Sequence, residues 1–263
     1  NDTDSFTAPT DGDEPTANLS WSSSGQQAVY FGTSASPDIT VTDLNPATTY
    51  YYKVYAYNDC SETETYETTG LAASDTTAQG VLTISGLTGN NKVYDTTTAA
   101  TITGAPTLVG VDSDHTVTLS GSPVYTFASA NVGTGITITT TGYTISGADA
   151  TKYTLTQPTL SGDITTKELT ISGLTGDNKV YDGIIVASAT GSASLGGVES
   201  EDDLSRSVES GDDVSLGGSP FFTFASANVG TGITITTTGY TISGTDSGNY
   251  SLTQPTLSGD ITA

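Results

Sequence analysis

The sequence predicts an all-β chain of tandem β-sandwich domains set end to end in an elongated array. Three observations predict it. The composition favours turns and strands, with 30 glycines and a hydrophobic share of 34%, which suits many short strands rather than amphipathic helices. Long phrases recur in the same order further along the chain, the mark of a duplicated structural unit. Short alternating apolar and polar stretches are bounded by Gly, Asn and Asp, as in strands with one covered face.

A length of 263 residues accommodates two or three domains, each with a small core. LTISGLTGNNKVYD at 82–95 returns as LTISGLTGDNKVYD at 169–182, an offset of 87. FASANVGTGITITTTGYTISG at 127–147 returns at 224–244, an offset of 97. The second copy therefore carries a net insertion of 97 minus 87, that is 10 residues, between Tyr181 and Phe224. The acidic run VESEDDLSRSVESGDD at 198–213 is its expected seat, in a loop. QPTLSGDIT closes both copies, at 157–165 and 254–262. The expected domains are 1–79, 80–166 and 167–263. The chain opens on Asn1 rather than Met, which reads as an interior or processed segment.

Residues 1–79 share none of the repeated phrases. ANLSW at 17–21 places Leu19 and Trp21 on one face of an early strand. In LNPATTYYYKVYAYN at 44–58, Tyr50, Tyr52, Val54 and Ala56 fall on one face, expected to be core. Tyr51, Lys53, Tyr55 and Tyr57 fall on the other. Leu44, Pro46, Thr48 and Tyr50 follow an L-x-P-x-T-x-Y phrase, through which the segment resembles a fibronectin type III domain. The resemblance implies a sandwich in which the Tyr50 hydroxyl folds back onto the preceding turn.

Each repeat reads as strands punctuated by glycine. Gly135–Thr140 and Tyr143–Ser146 are expected as two strands hinged at Thr141-Gly142, with Ile136, Ile138, Tyr143 and Ile145 inward and Thr137 and Thr139 toward water. A D-x-x-x-Y-x-L phrase follows at Asp149–Leu155 and Asp246–Leu252. It resembles the immunoglobulin corner D-x-G-x-Y-x-C with Leu for Cys, which implies an Ig-like sandwich. A β-grasp-like fold is the alternative, and it would need a helix that no amphipathic period supplies. Only Thr165 to Lys167 join the two repeats, too few for a flexible linker, so a limited hinge angle is expected.

Through NKVYD, FASANVGTGI and the closing SGDIT, residues 82–263 resemble the YDG-type repeats of large bacterial surface proteins and haemagglutinin-like adhesins. The resemblance implies secretion, an extracellular or cell-surface setting and service as a spacer, with no catalytic residues. The second copy keeps Tyr181-Asp182-Gly183, whereas the first has Thr96 in the glycine position. The two turns are expected to differ if Gly183 takes a positive φ. Lys92 and Lys179 hold equivalent places. They read either as ordinary ion pairs or, as adhesin sandwiches suggest, as isopeptide donors to Asp95 or Asp163 and to Asp182 or Asp260.

The chemistry is otherwise sparse. With 29 acidic against 6 basic residues and a net charge of -23, nucleic acid and anionic membrane are excluded as partners. No apolar run reaches membrane-spanning length, so no membrane insertion is expected. Cys60 has no second cysteine for a disulfide or a zinc site. His115 is the only histidine, is expected at an exposed turn and has no nucleophile phrase to serve. The chain is expected not to be an enzyme.

Two surfaces remain as candidates. Glu199, Glu201, Asp202, Asp203, Asp212 and Asp213, in the inserted loop, gather the carboxylates that a calcium ion takes; calcium is the candidate cofactor, and a solvated acidic loop that aids solubility is the alternative reading. Further acids stand at Asp11, Asp13, Glu14, Asp112, Asp114 and Glu209. Tyr30, Tyr51, Tyr55 and Tyr57 form an aromatic stripe, read either as a contact surface for glycans or neighbouring surface-protein chains or as good strand formers that pair across strands. The functional expectation is a non-catalytic stalk of a secreted or cell-surface bacterial adhesin. The alternatives are a subunit of an extracellular filament and an accessory module of a polysaccharide-degrading enzyme.

Overall fold

A computed structural model describes residues 39–60, 63–66, 69–196 and 211–263, with Ala17 and Ser20. The first strands are β1 (Thr49–Val54), β2 (Tyr57–Cys60), β3 (Thr63–Tyr66) and β4 (Leu71–Thr76). The first repeat supplies β5 (Gly80–Gly89), β6 (Lys92–Val93), β7 (Ile102–Val109), β8 (Thr118–Phe127), β9 (Gly133–Ser146), β10 (Tyr153–Leu155) and β11 (Thr159–Thr165). The second supplies β12 (Lys167–Gly176), β13 (Lys179–Val180), β14 (Val186–Ala187), β15 (Ala189–Gly196), β16 (Ser215–Phe224), β17 (Gly230–Ser243), β18 (Tyr250–Leu252) and β19 (Thr256–Thr262). A single 3-10 turn precedes β10 and another precedes β18. The protein is all-β, with strongly curled sheets.

The two copies match strand for strand except at β14, whose place in the first repeat is held by an isolated bridge between Ala99 and Thr126. β15 still follows the offset of 87 and β16 already follows 97, so the insertion lies between Gly196 and Ser215. In the first repeat the sheets run β10-β5-β7 and β6-β11-β9-β8. In the second they run β15-β12-β18 and β13-β19-β17-β16-β14. The chain divides into two compact units: residues 1–86, 105–123 and 141–158, and residues 87–104, 124–140 and 159–263.

Within the first unit, β1 pairs antiparallel with β4 from Thr49↔Thr76 to Val54↔Leu71. Tyr50 is buried and its hydroxyl oxygen accepts the Asn45 N–H at 2.9 Å, the fold-back that the L-x-P-x-T-x-Y phrase implies. Tyr52 and Val54, expected in the core, are 52% and 66% exposed, while Tyr51 and Tyr55 are half-buried. Ala56 is exposed too, although Tyr50 on the same face is buried: alternation sorts a strand into two faces but does not say how far along a face the cover extends. Here the Lys53 ammonium lies 5.1 Å from the Tyr55 ring centroid and shields it. Leu19, Trp21 and Tyr30 lie outside the described residues.

Within the second unit the core is Tyr94, Phe127, Ile138, Ile164, Leu169 and Tyr250, with Val132, Ile136 and Leu252 packed around it. Phe224, Ile235 and Ile261 form a second cluster. The expected inward and outward sides of the first repeat's long strand hold: Ile138 is buried, Ile136 half-buried, and Thr137 and Thr139 exposed. Glycine lets the sheets approach at the ends of β5 and β12. A Cβ on Gly176 would sit 2.5 Å from the Ser258 carbonyl and 2.7 Å from Ile235 Cδ1, so any side chain there would push the layers apart.

The expected hinge at Thr141-Gly142 is not a break. β9 runs unbroken through it because Gly142, at φ 92°, lies against Ser122 while Gly121, at φ 107°, faces the Gly142 carbonyl. A paired glycine irregularity bends the strand yet keeps its ladder, where two ordinary residues would have ended it.

The Tyr-Asp-Gly turns also fail to differ. Gly183 has φ 77° and Thr96 has φ 66°, so the threonine takes the left-handed conformation that the glycine takes freely. The Lys92 and Lys179 networks impose that geometry on both copies. A β-branched residue there carries backbone strain of about 1 to 2 kcal/mol. Thr96→Gly is therefore expected to stabilise the first repeat by about 1 kcal/mol, read as a higher denaturant midpoint at unchanged slope.

Candidate functional site at the junction of the repeats

A polar constellation in the second unit lies where the two repeats meet. NKVYD leaves β6 and places Tyr94 at the end of the first repeat, anchored by its N–H to the Thr165 carbonyl at 2.9 Å. The D-x-x-x-Y-x-L phrase of the second repeat makes a 3-10 turn, Ser247–Asn249, and delivers Asn249 and Tyr250 to the same place. Asp212 arrives from the residue run before β16. Its Oδ2 accepts the Tyr94 hydroxyl and the Tyr250 hydroxyl, each at 2.7 Å. The two rings meet edge to face, with centroids 5.4 Å apart and planes at 76°.

Beside them Asn249 is buried. Its Oδ1 accepts the Val132 N–H at 3.0 Å and its Nδ2 donates to Asn131 Oδ1 at 3.4 Å. One carboxylate and one amide from the second repeat thus satisfy a phenol and a backbone N–H of the first. The surrounding apolar core belongs to both copies, so separating them would expose hydrocarbon and leave buried polar groups unpaired.

Burial, then the Asp212 hydrogen bond and charge, hold the phenol pKa of Tyr94 and of Tyr250 well above the ordinary value. A raised folded-state pKa means that the contribution to stability is whole below the unfolded value of about 10 and drains away as pH climbs above it. Melting temperature is expected to fall as pH passes about 10. Tyr94→Phe should make that fall shallower, measured by melts from neutral to strongly alkaline pH.

The first repeat carries a different set at the matching place. His115 aligns with Asp212 and Lys152 with Asn249 at the offset of 97. Contrary to the expected exposed turn, the His115 side chain is buried, because it packs on Tyr153 with ring centroids 5.5 Å apart. Lys152 Nζ donates to His115 Nε2 at 3.0 Å, so Nδ1 carries the ring proton and meets the Tyr153 hydroxyl oxygen at 2.5 Å. Asp149 closes the turn by accepting the Thr116 N–H at 2.8 Å. In both copies the corner tyrosine bonds a residue 38 positions upstream, not its own turn.

Of the expected calcium ligands, Glu199, Glu201, Asp202 and Asp203 lie outside the described residues, as do Glu209, Asp11, Asp13 and Glu14. Asp212 serves the tyrosines, and Asp213 accepts the Thr245 N–H and hydroxyl. Among the described residues no three His, Cys, Asp or Glu side chains converge as metal ligands. Of the expected aromatic stripe, Tyr51 and Tyr55 are half-buried, Tyr30 lies outside the described residues, and Tyr57 is described as a member of β2.

Lys92 Nζ pairs with Asp95 at 2.6 Å and with the Thr97 carbonyl, and Lys179 pairs with Asp182 at 2.8 Å and with the Ile184 carbonyl. The Lys179 hydrogen bond, followed by the Ile184 N–H, draws the Asp182 pKa down. Asp163 and Asp260 instead accept the N–H groups of Gly135 and Gly232. The geometry is that of ion pairs bracing the turn, each ammonium also lying 5.6 Å from a phenylalanine ring centroid.

Sequence reasoning missed the junction. The signal was present in the recurrence of Tyr at 94 and 181 and of Asp-x-x-x-Tyr at the close of each copy, but which partners face across a boundary is a tertiary fact.

The YDG domain matches the chain twice, over residues 76–160 and 165–257. The chain belongs to the YDG domain family, and the matches cover most of its length. No curated protein matches it.

Proposed function

We propose that the chain is a non-catalytic spacer, a stalk segment of a secreted or cell-surface bacterial adhesin. The carrying observation is the junction: two tandem repeats share one apolar core and are fastened by Tyr94, Asp212, Tyr250 and Asn249. A joint of this kind passes load and orientation from one repeat to the next. The reading of residues 1–79 as a fibronectin type III domain is supported by the Asn45–Tyr50 fold-back. The Ig-like reading of the repeats is supported by their paired, curled sheets. An extracellular setting, glycans or neighbouring chains as partners, and calcium at the inserted acidic loop complete the proposal. For calcium, a rise in melting temperature on adding the ion and a fall with chelator is the expected mark.

A spacer depends on length and stiffness rather than on surface chemistry. Replacing both repeats by two unrelated sandwich domains of similar length is expected to preserve adhesion by cells displaying the parent protein, whereas deleting them reduces it. Loss of adhesion on replacement at constant length would overturn the spacer role.

A further inference from the structure

The far end of the second repeat bears the same surface that the first repeat uses at the junction. Tyr181 matches Tyr94 at the offset of 87, and Asn228 and Val229 match Asn131 and Val132 at the offset of 97. Their surroundings differ sharply. Tyr94 is 4% exposed and Tyr181 53%, and Val229 is 54% exposed where Val132 packs on the shared core. The turn that carries Tyr181 is built like its counterpart. The Tyr181 N–H bonds the Thr262 carbonyl at 2.9 Å, as Tyr94 bonds Thr165, and Lys179 braces Asp182 as Lys92 braces Asp95. Ile184, Ile185 and Val186 replace Thr97, Thr98 and Ala99, and all three are exposed, so this end is more apolar than the one already covered.

We propose that Tyr181, Asn228 and Val229 form a docking surface for the base of a further YDG repeat bearing Asp and Asn at the positions of Asp212 and Asn249. The occupant is fixed by chemistry. At the junction the Tyr94 phenol is satisfied by a carboxylate, the Val132 N–H by an amide oxygen, and the ring by an aromatic edge beside aliphatic carbon. The base of the second repeat supplies all of these to the first. The base of the first repeat does not, since His115 and Lys152 stand in the two acceptor positions and bond each other. A second copy of this chain, docking through its first repeat, therefore brings the wrong groups. The proposal rests on the reading of the repeats as stacked spacer units and adds the partner that continues the stack.

The test compares the full chain with the same chain extended after Ala263 by a copy of residues 167–263, which reproduces the Thr165-Thr166-Lys167 spacing. Amide hydrogen exchange is followed at Val132, the internal control, and at Val229. Val229 is expected to slow at least about tenfold on extension. Asn249→Ala in the appended copy alone should restore its original rate without affecting Val132. An unchanged Val229 rate beside a protected Val132 overturns the proposal, whereas fast exchange at both sites overturns the reading of the first junction as well. A second variant needs no appended copy. Thr96→Gly, Thr97→Ile, Thr98→Ile and Ala99→Val together give the first repeat the end of the second. Protection of Val132 should survive in it, and its loss would show that such an end cannot receive a base. Concentration-dependent dimerisation of the unextended chain that protects Val229 would assign the surface to a second copy and overturn the choice of partner.

Discussion

Gly218→Ala is expected to destabilise the second repeat by at least about 3 kcal/mol, enough to unfold it in a marginal domain. Gly218 sits in β16 at φ 97°, and an added Cβ would lie 2.1 Å from the Gly239 carbonyl oxygen. Gly239, at φ 92°, is in the reciprocal position, 2.3 Å from the Ser219 carbonyl. Relief would require the β16–β17 ladder to open where its register shifts between Gly218 and Phe221. Strain and overlap therefore add. Gly232 provides the control, with φ 61° and nothing within 4 Å of the added carbon. Gly232→Ala should cost only about 1 kcal/mol, the conformational penalty alone. Denaturant midpoints of the two variants separate the effects. Similar losses in both would mean that the close approach of the strands contributes nothing.

Asp212→Ala is the second large effect, expected to cost about 3 kcal/mol because two phenols lose one charged acceptor together. Tyr94→Phe removes one donor and leaves the carboxylate bonded to Tyr250, so a loss of about 1 kcal/mol is expected. Asp212→Asn retains an acceptor oxygen and should fall between them. Because the site joins two repeats, Asp212→Ala should weaken the first repeat as well, although the substituted residue belongs to the second. An effect confined to the second repeat would show that the Tyr94 contact adds no stability.

The repeat pattern made the all-β class, the matching strands and the place of the insertion readable in the sequence. Each of these depends on local chemistry: glycine where the chain turns, alternation where one face is covered, and an offset that changes only where residues are added. What was unreadable depends on tertiary choice. Tyr52 and Val54 alternate as correctly as any core strand, yet stand exposed beyond the buried Tyr50 on the same face. Thr96 looked unable to copy the turn of Gly183, but the Lys92 brace imposes a positive φ on it. Asp212 looked like one more carboxylate in an acidic loop. Its role appears only when Tyr94, 118 residues earlier in the chain, is placed beside it.

The central claim is that the apolar core and polar clasp make the two repeats open as one element. Native-state hydrogen exchange tests it most directly. The slowest amides of β9 and β11, in the first repeat, and of β12 and β18, in the second, should report one common opening free energy in the unaltered protein. Asp212→Ala should split that value into two. Separate opening energies for the two sets in the unaltered protein, insensitive to Asp212→Ala, would contradict the claim.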